Sequence, residues 1–472
     1  MKKLIVFILT VSMVVGIITA FEMIINAEDI ISGNWTYSLD NNNNATIKGT
    51  NLLGAIAVPS SIDGYTVTAI GAFAFRGYMD LISISLPDSV TTVGNDAFSG
   101  CTNLSNVILS KGLISLGGSA FYGCSSLKQI EIPKSLTTAT NDSWGPFTNS
   151  GLITVTFETG TTKIPDRLFS SCQNLESIII PDTITSIGSL SFHSCISMES
   201  IIIPNSVTVI GSEAFYGCKN LSNVVLSKGL VTLGGSAFNG CASLEQIEIP
   251  KSLTTATNDS WGPFTNSGLI TATFEAGTTK IPDRLFQSCQ NLKTITIPDT
   301  ITSIGSLGFY GCTALSNIYF HGNAPTFGSS ALPNLSTITG YYPINATGWE
   351  PVIAAYNQIN WLTWDAPDMP YSISIANHNY NSSTKLMSAG ISVTNNTDLT
   401  GKVKVIVAVY SNVNQMLTVK TQDIDFDSKE SKTIPFSETV NNLTEQYTIK
   451  VFVWSADNSM VPLARPRIVN IP

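Results

Sequence analysis

The sequence predicts a solenoid of about 11–12 coils of 23 residues, built of short parallel strands and short helical turns and followed by an all-β sandwich. Three observations predict it: a leucine or its substitute at a fixed spacing, a period-2 apolar pattern after each, and an apolar composition poor in charge. Hydrophobic residues make up 43% of the 472 and charged residues 12%, about half the usual share of roughly 25%. That balance excludes a charge-driven disordered chain and a coiled coil. With 24 Lys+Arg against 33 Asp+Glu, a net charge of −9, no large basic surface is available for phosphates, so nucleic acid is not an expected partner. The three histidines, His193, His321 and His378, are too scattered for a histidine-built site.

Taken in order, the chain opens on Met1-Lys2-Lys3 and an uncharged run from Leu4 to Ala20, the basic and apolar regions of a secretory signal. Cleavage fits after Ala20 or Ala27; the acidic Glu28-Asp29 favours Ala27 and a signal over 1–27. An uncleaved anchor is the rival, but 17 apolar residues fall short of the ~20 a spanning helix needs. No later run is long enough, and the chain ends at Pro472 without a sorting tail. The expectation is an exported protein, secreted or associated with the cell surface, with no membrane span in the mature chain.

The solenoid is expected over 69–322. Leu81, Leu104, Leu127, Leu152, Leu175, Met198, Leu221, Leu244, Leu269, Leu292 and Leu315 recur every 23 residues, except for 25 at Leu127 to Leu152 and Leu244 to Leu269. That period is one of a leucine-rich solenoid. In one unit Leu127, Ile130 and Ile132 point inward while Gln129 and Glu131 alternate outward, as in a short strand. Pro133 ends the strand because it cannot donate to a ladder. Ala120-Phe121 is an apolar plug in a segment long enough for one or two helical turns. A coil buries plug and strand only against its neighbours, so the array is one cooperative body, roughly 50–55 Å long at about 4.8 Å per coil.

A longer repeat overlies the first: residues 105–190 match 222–307 at an offset of 117, with 12 of 86 paired positions differing. A residue present in both copies is more easily explained by coil architecture than by a single active site.

The pattern Ile-Gly-x-x-Ala-Phe-x-Gly-Cys-x-x-Leu-x-x-Ile-x-Ile-Pro, most faithful at Ile210 to Leu226 and Leu233 to Pro250, resembles the BspA-like family of leucine-rich repeat surface proteins over about residues 33–364. Asn34-Trp35-Thr36-Tyr37 through Thr66-Val67 look like that family's N-terminal cap, here 28–68. Asn323-Ala324-Pro325 through Tyr341-Tyr342-Pro343 and Gly348-Trp349 look like its C-terminal cap, which with the linker spans 323–366. Caps cover the two open ends of a solenoid. The resemblance implies a bacterial adhesion or binding role toward host proteins or other cells.

All eight cysteines (Cys101, Cys124, Cys172, Cys195, Cys218, Cys241, Cys289, Cys312) stand three residues before the unit's leucine. Equivalent residues in stacked coils run parallel, which suits free buried thiols better than disulfides needing converging Cβ atoms. Counting back from the leucine puts Asn149, Asn266 and Tyr78 in the same slot. No Cys-x-x-Cys pair suggests a metal. The duplicated Asp166-Arg167 and Asp283-Arg284 read as a turn cap with an exposed arginine rather than a charged catalytic cluster. Trp144 with Phe147, and Trp261 with Phe264, read as rearranged plugs rather than sugar platforms. Asp423-Ile424-Asp425-Phe426-Asp427 lacks the turn glycine of a calcium loop and reads as a strand with one acidic face.

Beyond Pro367 the period stops, and alternating segments such as Val403 to Tyr410 and Tyr447 to Trp454 suit a sandwich over 367–472. Lys450 to Leu463 look like the end of the immunoglobulin-like modules of exported bacterial proteins. No nucleophile and base pair, phosphate loop or ligand cluster stands out, so no catalysis and no cofactor are expected. What remains is the outward strand face. Its candidate binding residues are Ile108, Gln129, Glu131, Ile179, Ile202, Val225, Gln246, Glu248 and Tyr319; the aliphatic ones form the kind of open stripe that marks a protein contact, although β-branched residues also simply favour strands. An extracellular protein ligand is the first expectation. A non-catalytic glycan-binding accessory of an extracellular polysaccharide-degrading system is the second, and exposure of Trp144 and Trp261 separates them.

Overall fold

The structure, a computed structural model, describes residues 29–139, 144–256, 261–333, 336–364, 371–381, 383–395, 401–411, 416–427, 430–440, 447–455 and 467–471. The expected leader over 1–27 lies outside the described residues. Among these, no helix is long and apolar enough to cross a membrane. Antiparallel strands Ile30–Ser32, Trp35–Leu39 and Ala45–Thr50 open the fold, and the last of them pairs in parallel with Tyr65–Ile70. From there about 13 coils stack.

Each coil contributes to two strips. One is a run of two-residue strands such as Thr92–Val93, Ser115–Leu116 and Thr138–Ala139, paired in parallel. The other is the strand face, where Ser83 pairs with Asn106 and Ser200 with Asn223, one 23-residue unit on. In the long units the register absorbs the extra residues: Gln129 pairs with Thr154 and Gln246 with Thr271. Residues 177–180 carry no strand, so the face is interrupted between Thr154–Phe157 and Ser200–Ile202.

The period-2 pattern buries Leu127, Ile130 and Ile132 in one continuous core from Tyr37 to Ile359. Its axis is a ladder of phenylalanines: Phe75, Phe98, Phe121, Phe147, Phe169, Phe192, Phe215, Phe238, Phe264, Phe286 and Phe309. Successive ring centroids lie 5.0–6.1 Å apart with planes 4–22° from parallel, within the offset-stacking range for aromatic pairs. The segments holding these rings are chains of hydrogen-bonded turns rather than the helical turns expected. Ser119, Glu213 and Ser236 sit at φ of 55–56°, and a left-handed residue in every segment stops a right-handed helix from propagating. The one α-helix among the described residues, Trp349–Ala355, closes the far end. There Trp349 packs on Phe320, Tyr342 and Trp361 with centroids 4.7, 4.9 and 5.5 Å away.

All eight thiols are free and buried. Each donates to the carbonyl of the phenylalanine one coil back: Cys101 to Phe75 at 3.0 Å, Cys124 to Phe98 at 3.2 Å, Cys218 to Phe192 at 3.1 Å, Cys312 to Phe286 at 3.0 Å. A small buried donor thus satisfies a carbonyl that stacking removes from water. Burial pushes Cys101 up to about 11 and Cys172 and Cys218 up to about 12. The slot assignment for the long coils is corrected. Asn149 and Asn266 are exposed, at φ of 54° and 53°, where other coils place a left-handed glycine such as Gly123. Ser150 and Ser267 take the buried position and contact Cys172 and Cys289. In the first coil Tyr78 fills the slot, donating to the Thr50 and Leu52 carbonyls at 3.0 and 2.7 Å.

The tail forms two antiparallel sheets. Tyr371–Asn381, Leu386–Asn395 and Ser431–Thr439 make one; Met416–Phe426, Gly401–Ser411, Tyr447–Ser455 and Arg467–Ile471 make the other, in that order. Val403, Val405, Val407 and Val409 alternate inward to meet Ile391, Val393, Ile449 and Val451 in a core of its own. Ile424 and Phe426 belong to that core while Asp423, Asp425 and Asp427 face solvent, the strand with an acidic face that was expected.

Candidate functional site

The strand face is formed by side chains that alternate with the core, so each coil sets two of them on a common plane. In the first copy and the coil after it this plane is open. Ile179 is 87% exposed, Ile108 57% and Ile202 46%, and Gln129 and Glu131 are exposed. Glu131 borders a groove of about 350 Å³ with Ile108, Lys111, Gln129, Thr156 and Glu158. The Lys134 backbone N–H and ammonium, the latter 3.3 Å from Glu158, hold the Glu158 carboxyl below its usual range.

The same plane in the second copy is not equally open. Thr271 and Thr294, both outward by pattern, are 8% and 3% exposed, whereas their twins Thr154 and Ser177 are exposed. Glu248 is half-buried although Glu131 is not. It lies 3.3 Å from Nζ of Lys450, a tail residue that also sits 4.4 Å above the Tyr410 ring. Burial, with the Glu248 carboxylate next, pushes the Tyr410 hydroxyl up to about 12. Among the other candidates, Gln246 is exposed and Val225 half-buried, and Tyr319 stacks on Tyr341 at 4.6 Å with its hydroxyl driven upward by burial. The structure therefore brings Ile108, Gln129 and Glu131 together and places Glu248 beside the tail. Nothing in the repeat pattern marks Lys450 or Tyr410 as members of this surface.

The other motifs resolve as follows. Phe147 and Phe264 are the plugs, but Trp144 and Trp261 are about half exposed, at 54% and 52%, because the ladder admits one ring per coil. They are not a stacked pair, since the duplication sets them five coils apart. Asp166 caps across coils, accepting from the Ser189 backbone N–H at 2.8 Å, and Asp283 does the same to Ser306. Arg167 follows in the left-handed region at φ 59°. His193 stacks on Tyr216 at 5.0 Å, and burial lowers its pKa.

A leucine-rich repeat protein from Bacteroides ovatus ATCC 8483 is 22% identical over 72% of this chain and 100% of its own, with a TM-score of 0.43. A leucine rich cell surface protein from Faecalibacterium prausnitzii A2-165 is 25% identical over 62% of this chain and 94% of its own, at a TM-score of 0.26. The T. pallidum leucine rich repeat protein is 25% identical over 56% and 91%, at 0.28. No curated protein matches the chain. The family profile described as the BspA type leucine rich repeat region, in six copies, matches residues 68–145, 143–262 and 260–346, more than half of the sequence and the same coils that carry the phenylalanine ladder. The chain belongs to the BspA-type leucine-rich repeat family.

Proposed function

We propose that this is a secreted or surface-associated bacterial protein that binds an extracellular protein ligand through the open strand face of its first copy and the coil after it, with no catalysis and no cofactor of its own. The observation that carries the reading is the exposure of Ile108, Ile179 and Ile202, large aliphatic side chains at outward positions of the strand side that stand in solvent. Large aliphatic side chains gathered on one surface favour desolvation by a partner. Neighbouring coils supply enough adjoining area for the ~800 Å² per partner of a standard interface. Charge is sparse there, so affinity rests on packing and depends weakly on salt.

The test is capture by immobilised mature protein from a panel of host matrix proteins and glycans, followed by variants. Lysine at Ile108, Ile179 and Ile202 should abolish capture of a protein ligand, whereas alanine at Asp166, Arg167, Asp283 and Arg284 should leave it intact. The reverse result, with both variants folded, overturns the reading. The exposure of Trp144 and Trp261 favours a second reading, glycan contact on the turn side of the coil, since an exposed indole is a surface on which a sugar ring stacks. Capture of a glycan that is lost in W144A/W261A and kept in the lysine variant selects it.

A further inference from the structure

The duplication supplies a control for every surface residue, and one pair of surfaces fails it. Gln129, Glu131, Thr154 and Thr156 recur as Gln246, Glu248, Thr271 and Thr273 on equivalent strands in the same register. Most neighbours along the solenoid are the same, the coil at 176–179 and 293–296 being the main exception, yet Thr154 is exposed and Thr271 buried. From outside the solenoid, Lys450 of the tail reaches Glu248 on the neighbouring strand.

We propose that the C-terminal sandwich is a cover in cis for the strand face of the second copy, and that the two copies have diverged so that only the second holds it. This goes beyond the binding reading above and does not depend on any ligand. Lys450 is 9% exposed, held between the Glu248 carboxylate and the Tyr410 ring, an ion pair and a cation–π contact on one ammonium. Four of the twelve differences between the copies fall on the strand side of Glu248's coil and the coil two further on. The first copy has Lys128 three residues before Glu131, a charge that opposes a docking lysine; the second has Glu245, which attracts one. Two coils further on, Glu176 is replaced by Lys293, Ser177 by Thr294, and the exposed Ile179 by Thr296. The covered face is thus the more polar, as suits a contact that opens. Thr294 Oγ1, on the same strand side two coils from Glu248, is buried with no hydrogen-bond partner among the described residues.

The experiment places a single reporter thiol in the full chain, T154C or T271C, and measures its labelling by a maleimide, with the buried native thiols as silent background and as the check on folding. T154C should label about tenfold faster than T271C, the ratio for a cover closed roughly nine-tenths of the time. K450E should bring T271C up to the rate of T154C, and the exchanged pair E248K/K450E should slow it again. Equal rates for the two reporters in the otherwise unchanged chain, or a T271C rate unmoved by K450E while the native thiols stay unlabelled, overturns the proposal.

Discussion

Residues 105–190 and 222–307 build the same coils from nearly the same sequence, and only the first presents its strand face fully to solvent. Inside, the copies are nearly interchangeable: Phe121 and Phe238 occupy equivalent rungs, with ring spacings of 5.2 and 5.4 Å to the next. Outside, they are not, because a surface is defined by whatever packs on it, and here that is a module more than a hundred residues downstream. Repetition fixes an interior; it leaves an exterior to be specialised.

The equivalence of the interiors is open to direct attack. The largest effect expected is from F121A and F238A, each costing about 3–5 kcal/mol as a large-to-small core change. Urea unfolding should give the same loss for both, and an inequality beyond about 1 kcal/mol would show that the cover stabilises the second copy's core as well as its face. Next comes alkali. Burial raises the folded thiols above the ordinary value of 9.0, to about 11 for Cys101 and about 12 for Cys172 and Cys218. The folded state therefore keeps protons that the unfolded chain loses, so stability is full below pH 9 and falls as pH rises toward 11–12. Circular dichroism and thiolate absorbance should change together in that window. The tail, which has no cysteine, is not destabilised by this route.

A smaller effect sharpens the comparison at a buried position where the copies differ. V155A removes two methyl groups from a coil core and should cost about 1–2 kcal/mol, whereas A272V should be neutral or stabilising by up to about 1 kcal/mol, since its twin site already accommodates valine. Thermal melting of both variants checks the pair. The smallest effect is at the surface. Lys134–Glu158 and Lys251–Glu275 are twin ion pairs at 3.3 and 3.9 Å with exposed lysines, and E158Q and E275Q should leave the melting midpoint where it was.

Much of this was legible in the sequence. The leucine period, the alternation of Gln129 and Glu131 with Ile130 and Ile132, and the single aromatic plug per coil specify the core, because each is a local pattern imposed by stacking. The free thiols followed from the parallel geometry of equivalent residues. The slot in the long coils was misplaced because counting back from Leu152 assumes that the extra residues lie before the turn, whereas the backbone sets Asn149 where a left-handed glycine belongs and Ser150 in the slot. The helical turns failed for a related reason: the Ala-Phe segments are helix-length, but a left-handed residue in each is invisible to hydrophobic periodicity. Trp144 was misread because two aromatic residues three apart compete for one rung. The cover on the second face had no signature, since Lys450 and Glu248 are 202 residues apart and neither position carries a pattern that names the other.

The phenylalanine ladder is not uniform along its length. Its two widest steps, 6.1 Å at Phe147 to Phe169 and 6.0 Å at Phe264 to Phe286, are each tilted by 20° and each follow a 25-residue coil. Ring stacking is loosest there, with Phe157 and Phe274 packing edge-on against Phe169 and Phe286 instead; where stacking sets the coupling between coils, a pulling force should open these joints first and release the coils between them as a block. The spacing of the joints equals the length of the duplicated unit. The protein is thus jointed at the same interval at which it was copied, and a further copy inserted at a joint meets an interface that already exists.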